Sequence, residues 1–388
     1  MAHAVAFGVK RTLTEPRLQK AETGGPARAA QRRRFLSRYA PLTHSETCYT
    51  SSVILGLGVS PMRRREFIVL VGSSVAGWPL AARAQQPMPV IGLLATAAPD
   101  ANAIRLRAFR EGLRTAGYVE GQNVKIEYRW AEAHTGRLPE LAGELVRDRV
   151  TVLVTAGGTA SALAAKAATG EIPIVFGIGA DPVDVGLVAS LNRPGGNVTG
   201  VTNLNIEVAP KRLELLHELL PSVTSMGLLV NPAVPALAEP VARLSQAAAQ
   251  GLGLQLHIVR ASSDRDFDTI FEQLVQLHAG ALVIGPDNLF TAHSEQLAHL
   301  TVRHAMPAIY EFRRFAAAGG LMSYSSSETE YYRLVGTYAG RVLKGDKPAD
   351  LPVQQSTKVE LFLNLKTAKA LGITVPLPLS GRADEIFE

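Results

Sequence analysis

From Pro89 onward, apolar residues fall into two rhythms that take turns along the chain. VIGLLAT (90–96) is an unbroken apolar run of strand length. The segment after it sets Leu106, Phe109, Leu113 and Ala116 at steps of three and four, one face of a helix, with Gly117 as a stop. VKIEYRW (124–130) alternates as a half-buried strand, and LPELAGELV (138–146) returns to the helical period. VTVLVTAGG (150–158) reads as a strand ending in a glycine turn, ASALAAKAA (160–168) as a strong helix former, and IPIVFG (172–177) as a buried strand. Short buried strands alternating with helices predict a parallel sheet covered on both faces.

The same order then returns. MGLLVNP (226–232) matches the first strand, and Leu237, Val241, Leu244 and Ala248 mark a helix face that Gly251 stops. LQLHIVR, FDTIFEQLV, AGALVIGPD and MPAIYEF follow as counterparts of VKIEYRW, LPELAGELV, VTVLVTAGG and IPIVFG, at an offset near 130–135 throughout. Six elements in one order at one offset predict two similar lobes, as the length from Gln85, about 300 residues, also does.

The pattern before Pro89 differs. Arg63, Arg64 and Arg65 precede a mildly apolar run from Phe67 to Ala82, and Ala82-Arg83-Ala84 offers a small-residue cleavage point before Gln85. That is the build of an export signal over 62–84, with a twin-arginine-like start, and the run of about 16 residues falls short of the roughly 20 that span a bilayer. RRRFLS (32–37) imitates the same start but lacks the apolar run, so residues 1–61 read as a disordered extension or as sequence ahead of a true start at Met62.

This division changes the meaning of the charge. The formal +6 resolves into +9 over residues 1–84 (13 Lys and Arg against 4 Asp and Glu) and −3 over the remainder (27 against 30). The exported part therefore has no field for nucleic acid. The single cysteine, Cys48, precedes the cleavage point, so that part also has no thiol, disulfide or lipid-bearing cysteine, which suits an oxidising compartment.

In open parallel sheets, ligands bind beyond the carboxyl ends of the strands. In the first lobe that rule selects Thr96, then Gly157, Gly158, Thr159 and Ser161, then Phe176 and Asp181. In the second it selects Asn231, Asp287, Tyr310 and Glu311, with Tyr324 as a further aromatic. The Gly157-Gly158 turn before a helix either captures an anion, most simply a carboxylate, or is only a tight turn. Asp181 is either a helix cap or a partner for a ligand ammonium, a role open also to Asp287 and Glu311. Phe176, Tyr310 and Tyr324 are either core or ligand walls. No G-x-S-x-G, H-E-x-x-H, G-x-G-x-x-G or P-loop is present, and His293, His299 and His304 do not share a helical face, so neither a catalytic centre, a metal nor a cofactor is expected.

GLRTAGYVEGQNVKIEYRWAEAHTGRLPELAGELV, IPIVFGIGADPVDVGLVASLNRPGGNVTGVTNL, KRLELLHELLP, GLMSYSS and LNLKTAKALGITVP together resemble the extracytoplasmic substrate-binding proteins of ABC importers, in the family with tryptophan- and other aromatic-amino-acid-binding members. The resemblance covers the chain from about residue 62. It implies an α/β type I periplasmic-binding-protein fold, two Rossmann-like lobes with parallel sheets joined by a hinge. The lobes would be 85–203 plus 320–354 and 204–319 plus 355–388, with crossings near 203–206, 312–320 and 354–358. It also implies a monomer in the periplasm that takes a small ligand, an amino acid or small aromatic carboxylate, to ABC permease subunits. A ligand-sensing subunit of a signalling kinase is the alternative, and an enzyme a more distant one.

Overall fold

The computed structural model describes residues 88–388 except 100, 101, 133 and 204; the segments expected from sequence to be an export signal (62–84) and an extension (1–61) lie outside the described residues. The first lobe opens with β1 (Val90–Ala95), α1 (Ala103–Thr115), β2 (Lys125–Trp130), α2 (Leu138–Arg147), β3 (Val152–Thr155), α3 (Thr159–Ala168), β4 (Ile174–Ile178) and β5 (Val198–Thr202). Next come α4 (Ala209–Leu219), β6 (Ser225–Val230), α5 (Pro235–Gly251), β7 (Gln255–Arg260), α6 (Phe267–Gln276), β8 (Ala281–Ile284), α7 (Asn288–Ala292), α8 (Ser294–Arg303), β9 (Ala308–Tyr310), α9 (Arg313–Ala317) and β10 (Met322–Ser326). The chain ends with α10 (Glu328–Leu343), β11 (Gln354–Gln355), β12 (Val359–Asn364), α11 (Leu365–Ala370), α12 (Leu377–Ser380) and β13 (Glu385–Phe387).

Two sheets result, ordered β11-β5-β4-β3-β1-β2 and β13-β12-β10-β9-β8-β6-β7. Their cores, β5-β4-β3-β1-β2 and β10-β9-β8-β6-β7, have one topology, the structural form of the repeat. Pairing is parallel except between β10 and β12. The likeness reaches single residues. Gly92 and Gly227 hold the same place in β1 and β6, where a Cβ would meet Leu145 at 3.0 Å and Leu274 at 2.4 Å. Both faces of each sheet are buried. In the first, Val175 joins a cluster with Phe109, Tyr331 and Val335, whereas Phe176 turns to the opposite face with Leu141 and Leu187. The second sheet divides in the same way, Ile309 from Tyr310.

The lobes exchange helices. After β5 the chain leaves the first sheet and α4 packs on β8 and β9; after β10 it leaves the second and α10 packs on α1, β3, β4 and β5. This return falls at 326–328, and the expectation of a crossing within 312–320 is corrected. That stretch contains α9 and its turn, with Gly319 in the left-handed region (φ +100) and Gly320 beneath Tyr310, where a Cβ would lie 2.5 Å from the ring. Residues 322–326 pair with β9 and β12, in the second sheet. Gly319 and Gly320 form a turn within one lobe.

Close approach of α1 and α10 sets the cleft wall. A Cβ on Gly112 would lie 1.9 Å from the Arg333 carbonyl oxygen, and one on Gly336 would lie 2.0 Å from that of Phe109. Only glycine lets these backbones touch, and the contact brings Arg105 of α1 beside Tyr332 of α10.

Candidate functional site

A cavity of about 320 Å³ lies where the strand ends of the two sheets meet. The first lobe lines it with Thr96, Gly158, Thr159, Ala160 and Gly177, the second with Asn231, Asp287, Asn288, Glu311 and Phe312. Asn203 and Asn205 reach it from the first crossing, Arg105 from α1, and Tyr331 and Tyr332 from α10.

The first lobe offers donors. Gly158 adopts a left-handed φ of 76° that turns the chain into α3. Gly157 lies directly behind it, where a Cβ would fall 2.3 Å from the Thr96 hydroxyl. Thr96 Oγ1 donates to the Gly157 carbonyl at 2.7 Å, and Ser161 Oγ to that of Gly158 at 2.8 Å. The Thr159 hydroxyl is buried without a partner among the described residues. A ten-residue helix directs its first amides here, so this end suits a carboxylate.

The second lobe offers acceptors. Asp287 caps α7 by accepting from the Leu289 amide at 2.8 Å, and the same oxygen accepts from Asn231 Nδ2 at 3.0 Å. Burial raises its carboxyl above the ordinary value. Glu311, 4 % exposed, accepts from Asn205 Nδ2. Burial pushes Glu311 up to about 8, outweighing the pull of Arg212 and Arg105. Arg212 is itself fully buried and drawn down to about 10 by that burial. Its guanidinium donates to the Tyr324 carbonyl at 2.8 Å and the Asn205 carbonyl at 3.2 Å, tying the first crossing to β10.

Contacts that join the lobes ring the cavity. Asn288 Nδ2 donates to the Gly157 carbonyl at 3.0 Å. Arg105 places its guanidinium 5.5 Å from the Tyr332 ring and 5.8 Å from that of Phe312. Its Nε meets Glu328 at 2.6 Å, and Glu328 also meets Arg314 at 3.2 Å.

Of the residues expected from sequence, Thr96, Gly158, Thr159, Asn231, Asp287 and Glu311 line this cavity. Gly157 backs it, and Ser161 is sealed on its own turn. Phe176, Tyr310, Tyr324 and Asp181 do not line it. Phe176 faces the α2 and α3 side of its strand, so Gly177 is the residue that meets the cavity. Tyr310 is fully buried, stacked on Phe315 with ring centroids 4.8 Å apart and bonded to Thr301 at 2.6 Å. Tyr324 packs against the other face of the second sheet. Asp181 is exposed and accepts from the Val183 amide at 2.7 Å, closing a turn; no helix follows it, so the expected helix cap is corrected to a turn.

Sequence reading passed over Arg105, Asn203, Asn205, Asn288, Phe312, Tyr331 and Tyr332. One signal was available. Gly112 with Ala116, and Gly336 with Gly340, are small residues four apart on two helices, and a Cβ on Gly340 would meet Ala116 at 2.3 Å. Such pairs mark helices that pack closely. Among the described residues no group of three potential ligands could hold a metal ion, and no helix is long and apolar enough to cross a membrane.

Comparison with known proteins gives this geometry a context. The family model described as ABC transporter substrate binding protein matches residues 91–387. A tyrosine-binding protein of Clostridioides difficile is 29% identical over 266 residues, 68% of this chain and 75% of that protein. Among solved structures, a conserved domain protein from Vibrio cholerae superposes with a TM-score of 0.72 at 26% identity, over 77% of this chain and 100% of the other. An ABC domain from Streptococcus pneumoniae in complex with L-Trp gives 0.71 at 25% identity, over 78% and 100%.

Proposed function

Because the chain belongs to the family of ABC transporter substrate-binding proteins, we propose that it captures one small amino acid, aromatic by preference, in the cavity between its lobes. The carrying observation is the opposed chemistry of the two walls. An unpartnered Thr159 hydroxyl and the start of α3 face the buried Asp287 and Glu311. A zwitterion spans that gap, carboxylate toward the first lobe and ammonium toward the second. The names of two relatives, a tyrosine-binding protein and a domain holding L-Trp, support the aromatic preference.

Ligand touching both walls favours the closed arrangement by its differential affinity, and the closed form is the one presented to a membrane permease. On this reading residues 62–84 direct export, and the protein works outside the cytoplasm as a monomer that binds without turnover. The test is a thermal-shift series on the purified protein with each L-amino acid and with benzoate. Ligand at one hundred times its Kd adds about 2.7 kcal/mol of apparent stability. Aromatic amino acids should raise Tm, and isothermal titration should return one site per chain with the ligand recovered unchanged. A Tm indifferent to every amino acid sinks the proposal.

A further inference from the structure

Arg105 stands in the first turn of α1, where the helix dipole disfavours a cation, and it is buried to 5% exposure. Its setting leaves one edge of the guanidinium for use. The rings of Tyr332 and Phe312 pack on it, and its Nε donates to Glu328 at 2.6 Å. Glu328 is shared with Arg314 at 3.2 Å, so Arg105 does not hold that carboxylate to itself. The two terminal nitrogens of Arg105 donate to nothing among the described residues. Neither is among the sealed unpartnered atoms, as Arg212 Nη1 is, so this edge opens on the cavity that Arg105 lines. Tyr332 connects the edge to the glycine turn. Its ring lies 5.5 Å from the Arg105 guanidinium, and its hydroxyl reaches the carbonyl of Ala156, just before Gly157, at 3.5 Å. The unpartnered Thr159 hydroxyl and the start of α3 belong to the same corner of the cavity.

We propose that Arg105 is the specificity-determining residue for the ligand's carboxylate, gripping it end-on while Thr159 and the first amides of α3 complete its hydrogen bonds. This rests on the amino-acid reading above and deepens it: the ligand must present a free α-carboxylate, and an amide in its place is rejected. The end of a guanidinium matches the two oxygens of a carboxylate, and such charge-assisted bonds are about twice as strong as neutral ones. Other occupants fit worse. A cation opposes Arg105. An apolar group leaves a desolvated guanidinium edge unpaired, which is costly. A neutral amide offers one acceptor oxygen and turns an NH2 against the second nitrogen. Glu311 does not stand in the way. Burial lifts its carboxyl to about 8, so in mildly acidic solution it carries its proton and exerts no repulsion. Asp287, held by Asn231 on the opposite wall, is left for the ammonium.

The experiment is isothermal titration of the full chain at about pH 6.5, where Glu311 keeps its proton. The ligands are L-phenylalanine, L-tyrosine and L-tryptophan, each beside its α-amide. The readout is the acid-to-amide affinity ratio, since a change of fold or of closure moves both members of a pair alike. The ratio should be at least about a hundredfold in the parent and fall to about tenfold or less in Arg105→Met. Arg105→Lys keeps the charge without the fork and should fall between them, and it carries the test if the methionine variant does not fold. Arg314→Met takes the second arginine from Glu328 but lies off this cavity, and should leave the ratio as in the parent. Amides that bind the parent as tightly as the acids overturn the proposal. So does a ratio that survives in every Arg105 variant that folds, which gives the carboxylate to α3 alone and leaves the amino-acid reading intact. An equal fall in Arg314→Met also overturns it, by making the effect one of general charge. If no acid and no amide binds, the amino-acid reading itself falls, and this proposal with it.

Discussion

The two lobes share one scaffold and differ at its tips. After β1 and β6 stand Thr96 and Asn231; after β3 and β8, Gly158 and Asp287; at the ends of β4 and β9, Gly177 and Glu311. The first lobe puts hydroxyl, glycine and helix amides where the second puts amide and carboxylates. The duplicated frame aims both sets of strand ends at one cavity, and divergence at a few loop positions gave the walls opposite electrostatic character. Buried strands tolerate little change because both faces are packed, whereas tips are free to vary.

The lobes also differ in how they hold their exchanged helix, and that difference yields the largest expected effect. In the first lobe α10 touches α1 backbone to backbone through Gly112 and Gly336. Leucine at Gly336 must push a helix aside, so Gly336→Leu should cost about 3 kcal/mol or more, or prevent folding. In the second lobe Gly251 ends α5 with open space within 4 Å of the point a Cβ would occupy, and Gly251→Ala should change stability by no more than about 0.5 kcal/mol. Urea denaturation of both variants measures the contrast, and similar losses would remove the close approach as the organiser of this wall.

Next in size is the contrast between charged and neutral tips. Asp287→Asn keeps shape and the Leu289 cap while removing the charge offered to an ammonium, and should weaken an amino-acid ligand by about 2 to 3 kcal/mol. Thr96→Val, on the facing wall in the other lobe, loses one neutral hydroxyl and should cost about 1 kcal/mol. Titration calorimetry with the tightest amino acid from the thermal series provides both numbers. Equal losses would mean that the walls do not divide the ligand's charges.

These contrasts show what the sequence made legible. The repeat, the succession of elements along the chain and the strand-end loops follow from hydrophobic period and the matched offset, which act locally. Six expected residues line the cavity because they follow strand ends directly. Phe176 and Tyr310 fail by one residue. Each faces the helices on the far side of its strand, and the next residue, Gly177 or Glu311, meets the cavity. Period-two alternation decides this, but in strands buried on both faces the two sides look equally apolar. Arg105, Tyr331 and Tyr332 depend on α1 meeting a helix more than 200 residues later, which no local pattern encodes.

Acidity separates the lobes as well. Burial holds the Glu311 carboxyl at about 8 against an ordinary 4.5, so the folded protein keeps a proton that the unfolded chain gives up. Stability from this group is fully present below the unfolded value and falls as pH rises toward about 8. Asp287 is shifted in the same direction, again by burial. Tm without ligand should decline from pH 5 to pH 8, and Glu311→Gln should flatten much of that slope. A parent curve that rises over this range would show that Arg212 and Arg105 hold Glu311 ionised.

The smallest effect concerns two aspartates that make the same local hydrogen bond. Asp181 after β4 and Asp287 after β8 each accept from the backbone amide two residues on, at 2.7 and 2.8 Å. Local sequence cannot tell them apart, since both stand at the carboxyl end of a strand and begin a turn. Their surroundings do: Asp287 is 7% exposed and on the cavity, whereas Asp181 is exposed and off it. A side-chain bond that closes an exposed turn is worth about 1 kcal/mol and reports nothing to a ligand. Asp181→Ala should therefore lower unfolding free energy by about that much and leave the amino-acid Kd unchanged in the same titration used for Asp287→Asn. A tenfold loss of affinity in Asp181→Ala would bring the β4 turn into the site, and the division between a donor wall and an acceptor wall would no longer follow the lobes.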